Sequence, residues 1–166
     1  MKQLILVRHG KAEQQNYSRD YNRNLTTRGI NDAHLIGQKV KSEISGKTAF
    51  ISSPANRAIQ TARIFAGELS FPEGQIKEFV KLYDWVTTTD FLDIIGEIHD
   101  DVDTILAFGH NPTKLVLAER FAPQFNGHMP TSCAVGILFD VEKWSQLEAN
   151  AGKLYFHYYP KKLKIE

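Results

Sequence analysis

Gln3 to Val7 reads QLILV, a nearly continuous apolar run only five residues long. A strand covered on both faces needs such a run, and a helix that short has no face to bury. The pattern recurs. "TAFISSP" (Thr48 to Pro54), "DTILAFGHNP" (Asp103 to Pro112), "CAVGILFDV" (Cys133 to Val141) and "KLYFHYY" (Lys153 to Tyr159) read as further strands. "IKEFVKLYDW" (Ile76 to Trp85) holds an edge-like strand with a looser pattern. Helical spacing fills the gaps. After a cap at Thr27 come Ile30, Ala33, Ile36, Gly37, Val40 and Ile44. Ala58, Ala62, Phe65, Ala66 and Leu69 share one face. "TTDFLDIIGEIHDD" (Thr88 to Asp101) puts Phe91, Leu92, Ile95 and Ile98 on one side, and "TKLVLAERF" makes a further helix. Strands alternating with helices at intervals of about thirty residues or less predict an α/β fold. The expected architecture is a three-layer α/β/α sandwich with a mainly parallel sheet and an antiparallel last pair.

The 166 residues fit one domain, spanning 1–166. A chain of that length buries roughly 70% of its unfolded surface and needs no disulfide or metal to hold it together. Net charge is +1, which argues against a nucleic-acid or membrane binder. Cys133 is the single cysteine, so there is no internal disulfide and no Cys-rich zinc site. That usage fits a reducing compartment, and the expected location is cytoplasmic. No signal segment is visible, and no apolar run approaches the ~20 residues of a membrane helix. The basic tail "PKKLKIE" reads as a solvated tail.

Ligands of open α/β sheets bind at the carboxyl ends of the strands. Three strand ends here deliver polar groups to that edge: Arg8 and His9, the Ser52 to Arg57 stretch, and His110. Each residue alone has an ordinary explanation, as a packed histidine or a surface arginine. Jointly, two arginines and two histidines with no carboxylate between them make a pocket for a compact dianion. Arginine supplies paired N–H donors that fit phosphate oxygens. The helix beginning near Pro54 adds backbone N–H groups and a positive dipole end. Gly10 and Gly109, beside the two histidines, would let the backbone approach a ligand. Such a cradle stabilises the charge spread over a phosphoryl group in transfer.

Rival chemistries fail on spacing. "SGKT" (Ser45 to Thr48) mimics the end of a P-loop, but Lys41 stands where its first glycine belongs, and the segment precedes a strand. A cysteine phosphatase needs an arginine where Phe139 follows Cys133. No paired-histidine metal motif exists and the acidic residues do not cluster. What remains is a mechanism without metal or organic cofactor and with a nitrogen nucleophile.

"LVRHGKAE" resembles the signature of the histidine phosphatase superfamily, the phosphoglycerate-mutase-like proteins. "DYNRNLTTRGINDA" (Asp20 to Ala33), "SSPANRAIQTA" (Ser52 to Ala62) and "FGHNP" (Phe108 to Pro112) resemble its further motifs, in the family order. The compact length, "RHGKAE" and "PTSCAVGILFDVEKW" make the chain most similar to the SixA branch of bacterial phosphohistidine phosphatases. Gly10 and Asn24 depart from that branch, which often has Ala and Pro there.

The resemblance implies that His9 attacks phosphorus and forms a phosphohistidine intermediate, with Arg8, Arg57 and His110 holding the phosphoryl oxygens. His9 should then be neutral and His110 more often protonated. The general acid of most of the superfamily, a glutamate after a leucine, is missing. "KLYDW" stands in that place, and Asp84 is the nearest carboxylate. Loss of the acid suits a phosphoramidate, whose imidazole leaves more readily than an alkoxide. The implied activity is therefore removal of phosphate from phosphohistidine in a protein domain. The alternatives are a small-molecule phosphomonoesterase of the same superfamily and a non-catalytic phosphate- or phosphoprotein-binding module. Asn16, Arg19 and Arg23 lie in the loop after the nucleophile, and Arg19 is a candidate substrate contact. His34, His99, His128 and His157 read as surface or satisfied histidines, and Trp85 and Trp144 as core or rim. The sequence leaves the oligomeric state and the pathway open.

Overall fold

Leu4 and Leu6 turn to one face of the first strand and Ile5 and Val7 to the other, and all four are fully buried. A strand apolar on both faces must lie inside a sheet with helices on each side. The computed structural model, which describes residues 1–14 and 19–165, shows that arrangement. Strands β1 (Lys2–Arg8), β2 (Thr48–Ser52), β3 (Lys77–Glu78), β4 (Thr104–Gly109), β5 (Ala134–Phe139) and β6 (Lys153–Tyr158) form one sheet in the order β3-β2-β4-β1-β5-β6. The β1–β4, β2–β4 and β2–β3 pairs are parallel. β5 runs antiparallel to both β1 and β6. The mainly parallel sheet and the antiparallel last pair are as expected.

Helices α1 (Thr27–Lys41) and α2 (Asn56–Leu69) cover one face, where Ala33, Ile36, Val40, Ala62 and Phe65 pack on Ile5, Val7, Leu106 and Phe108. The short C-terminal α5 (Pro160–Ile165) joins them, with Leu163 against that core and Lys164 bonded to buried Asp32. Helices α3 (Thr88–Gly96) and α4 (Thr113–Phe121) cover the other face through Phe91, Ile95, Leu117 and Phe121. Trp144 is sealed in the same core and donates its indole N–H to the Val102 carbonyl (2.9 Å).

Three local expectations need correction. Thr26, not Thr27, caps α1, its Oγ1 accepting from the Gly29 N–H at 3.0 Å. Ile30 is 41% exposed, so it lies off the buried face of that helix, which carries Gly29, Asp32, Ala33, Ile36, Gly37 and Val40. The strand expected within Ile76 to Trp85 has only two residues, and Val80–Leu82 is a 3-10 turn. Its loose alternation left no face to bury, so an edge strand had nothing to extend it. Among the described residues no helix is long and apolar enough to cross a membrane.

Candidate active site

β1, β2 and β4 end side by side, because Arg8 is in register with Gly109 and Ser52 with Phe108. Three backbone bonds extend this pairing past the strands. The His9 N–H donates to the Gly109 carbonyl, the Ser53 N–H to Phe108, and the Ser132 N–H to the His9 carbonyl, each at 3.0 Å. The chain is thus pinned on both sides of His9. Arg8, His9, Arg57 and His110 come together at this edge, as expected, and the two imidazoles lie 5.2 Å apart between centroids.

The His9 ring is oriented by its neighbour. Nδ1 lies 2.7 Å from the Gly10 carbonyl oxygen, which can only accept, so Nδ1 carries the proton. Nε2 therefore holds a lone pair and is free to attack. Burial, opposed by the Gly10 bond and assisted by Arg57, Arg8 and Arg23, pushes the His9 pKa down to about 4. His9 is neutral near pH 7, as expected. His110 is not the protonated partner that the resemblance implied. Burial together with the charges on His9, Arg57 and Lys114 lowers it to about 3. Its Nε2 is paired with Ser53 Oγ at 2.8 Å, and its buried Nδ1 has no partner among the described residues.

Arg8 donates from Nη1 to the Met129 carbonyl at 3.1 Å. The Nε atoms of Arg8 and Arg57 are buried without a partner among the described residues. Arg57, one residue into α2, is held through Thr61, whose hydroxyl donates to the Arg57 carbonyl (2.7 Å) and accepts from the Gly10 N–H (3.0 Å). That pair of bonds ties the arginine's helix to the residue after His9. The two glycines do not serve ligand approach. A Cβ on Gly10 would lie 2.9 Å from the Gly29 carbonyl oxygen, and one on Gly109 would lie 2.9 Å from Lys114 Nζ. Each makes room for protein.

The expectation of a cradle without a carboxylate is overturned. Asp20 reaches Arg57 from the loop after β1. Its Oδ2 accepts from Arg57 Nη2 (2.9 Å) and from the Tyr83 hydroxyl (2.8 Å), and its carbonyl accepts from Arg57 Nη1 (2.9 Å). Oδ1 accepts from Arg23 Nε at 3.0 Å and Nη2 at 2.9 Å. The Tyr83 and Arg57 bonds outweigh desolvation and hold the Asp20 pKa down at about 2. The Tyr83 ring meets His110 edge-on, 5.6 Å between centroids, and Tyr21 meets Tyr83 at 5.1 Å. Sequence reasoning reached Ser53 only as part of the Ser52 to Arg57 stretch and missed Asp20, Tyr83 and Ser132. Asp20 lies within the quoted "DYNRNLTTRGINDA" motif, which was the one available signal.

Asp84 is exposed, and it is the adjacent Tyr83 that turns inward. Arg19 is exposed and makes no side-chain hydrogen bond or ion pair with a described residue, whereas Arg23 is drawn into the Asp20 network. Asn16 lies outside the described residues. His34, His99 and His157 are occupied elsewhere, by Glu68, Asp101 and the His128 carbonyl. Among the described residues no group of three or more His, Cys, Asp or Glu side chains is placed to hold a metal ion.

Residues 4–85 match the family model of the histidine phosphatase superfamily (branch 1). An uncharacterised protein of Mycobacterium tuberculosis (strain ATCC 25618 / H37Rv), Rv1276c, is 26% identical over 165 residues, which is 93% of this chain and all of that protein. The protein histidine phosphatase SixA complexed with tungstate superimposes with a TM-score of 0.81 at 21% identity, over 97% of this chain and 99% of the other. A second SixA-named structure, from Nakamurella multipartitia, gives 0.82 at 22% identity over 96% of each chain. The ecdysone phosphate phosphatase of Bombix mori gives 0.62 at 14% identity, over 94% of this chain and 92% of the other. The chain therefore resembles the histidine phosphatase superfamily: that family's model matches residues 4–85, and the SixA-named structures share the fold over nearly the whole chain.

Proposed function

We propose that the chain is a metal-independent phosphohydrolase that removes phosphate from phosphohistidine in a protein domain. The observation that carries this is the His9 Nδ1–H bond to the Gly10 carbonyl. It leaves an unprotonated Nε2 beside two arginines and a second imidazole, the requirement for nucleophilic attack on phosphorus. In the first step His9 Nε2 bonds to phosphorus. The bond from phosphorus to the substrate nitrogen breaks, and its electron pair stays on that nitrogen. In the second step water adds to phosphorus and His9 leaves with the pair. Arg8, Arg57 and His110 bind the phosphoryl oxygens through both steps.

The choice of substrate rests on the leaving group. An alkoxide needs a proton donor, and the carboxylate that reaches this site, Asp20, is held ionised. An imidazole leaves without one. The test is a turnover panel of a phosphohistidine protein domain, a free phosphoramidate and common phosphomonoesters, run with and without EDTA. Preference for the phosphohistidine domain, retained in EDTA, is expected, together with an acid-labile phosphoenzyme that His9→Ala abolishes. A clear preference for monoesters would assign the chain to small-molecule esters instead. Ligand binding without turnover would make it a binding module.

A further inference from the structure

The mouth of the phosphate cradle holds a group that a pocket for dianions should avoid. Asp20 carries a full negative charge beside Arg57, and it is bracketed by aromatic rings. Tyr83 packs between His110 and Tyr21, and Tyr21 is 37% exposed. The site is built: Arg57 is 5% exposed, and four side-chain donors from Arg57, Arg23 and Tyr83 converge on the one carboxylate. Those four fill the roughly four acceptor positions a carboxylate has. The arrangement is costly if the only task is to bind phosphate, since the carboxylate repels a dianion and takes up the Arg57 Nη2 N–H that phosphate could use.

The charge has a use if the leaving group is an imidazole. N-phosphorylated imidazole is labile when its remote nitrogen is protonated, because the ring then departs neutral. We propose that Asp20 is the residue that selects a phosphorylated imidazole, accepting a hydrogen bond from the remote N–H of the substrate ring while Tyr83 and Tyr21 flank that ring. This rests on the assignment of His9 as a phosphoryl acceptor. A phosphoryl oxygen draws Arg57 Nη2 away from Asp20 Oδ2, and the imidazolium N–H takes the acceptor position released. The charges balance. His9 attacks as a neutral ring and becomes the phosphoimidazolium. The substrate ring receives the electron pair of the breaking bond, keeps its remote proton and leaves neutral. No proton donor is required, and a phosphate ester has no N–H to offer.

The experiment is Asp20→Asn in the full chain, with kcat/KM measured on free phosphohistidine and on p-nitrophenyl phosphate. A charge-assisted hydrogen bond is worth about 10- to 100-fold. A loss of that size is expected in the ratio of kcat/KM on phosphohistidine to kcat/KM on p-nitrophenyl phosphate. The wild-type rate on phosphohistidine should also fall as the pH rises past the substrate's own imidazole titration, and Asp20→Asn should flatten that limb. Equal losses on both substrates would reduce Asp20 to a strut for Arg57 and overturn the proposal. Equal gains would make it a simple block and also overturn it. Tyr83→Leu removes the flanking ring and tests the same selectivity if Asp20→Asn does not fold: the substrate ratio should fall, and an unchanged ratio refutes the idea. Failure of the broader assignment looks different. There the wild type itself prefers p-nitrophenyl phosphate, whatever Asp20→Asn does.

Discussion

Replacing Lys114 by methionine should stabilise the protein, by an amount that depends on pH. Lys114 lies on α4 and is 1% exposed. Its Nζ occupies the space a Gly109 side chain would fill and sits 5.4 Å from the centre of the Phe91 ring. Burial alone lowers its pKa from 10.5 to about 7. Each tenfold change in proton affinity is worth about 1.4 kcal/mol, so near pH 7 the charge costs folding about 4 kcal/mol. Methionine keeps the length and apolar stem of the side chain but forfeits the cation–π contact, about 0.5–1 kcal/mol. The net gain is about 3 kcal/mol, or roughly 10 °C in melting temperature for a domain of this size. The penalty is fully present below the folded pKa of about 7. Between that value and 10.5 the unfolded chain holds the proton and the folded one does not, so wild-type stability rises with pH relative to the variant. The gap should shrink to about 1 kcal/mol by pH 10. Urea unfolding of both proteins at pH 6, 7, 8.5 and 10 measures it. A gap that does not change with pH, or a variant less stable at pH 7, refutes the reasoning. Because the Lys114 charge helps to lower His110, the His110 titration should also move upward in the variant.

Nitrogen-detected NMR of the imidazoles should show His9 and His110 neutral at pH 7, with His9 in the Nδ1–H tautomer; an Nε2–H resonance for His9 would remove its nucleophile. Gly29→Ala places a Cβ 2.1 Å from the Lys11 carbonyl oxygen. The backbone after His9 must shift, so a loss of about 1–3 kcal/mol in thermal or urea melts is expected, together with reduced activity. Cys133 is fully buried and its thiol is pushed up to about 12, chiefly by desolvation, so a colorimetric thiol reagent should be inert on the native protein at pH 8 and react only on unfolding.

The cluster of Arg8, His9, Arg57 and His110 was legible because each of its residues lies at or beside the end of a regular element. A strand that is apolar on both faces announces where it lies, and the first polar residue after it must emerge at the sheet edge. Arg8, His9 and His110 are placed by β1 and β4, and Arg57 by the start of α2, so the period of each element locates them. Gly10 and Gly109 were visible but misread, since what fills the space beside a glycine is decided by residues remote in sequence. Lys114 was hidden for a related reason. A lysine in a short helix reads as solvated unless the void that accepts its ammonium is known. Asp20 is the clearest case. Its loop has no period, and its conformation is set by the donors that capture its carboxylate. Arg57 lies 37 residues away and Tyr83 lies 63 away, one on α2 and one after the 3-10 turn beyond β3. No window of sequence around Asp20 contains either. The strands therefore account for the gathering of Arg8, His9 and His110 at one sheet edge, and only the captured loop, folded against α2 and Tyr83, brings Asp20 to the same place.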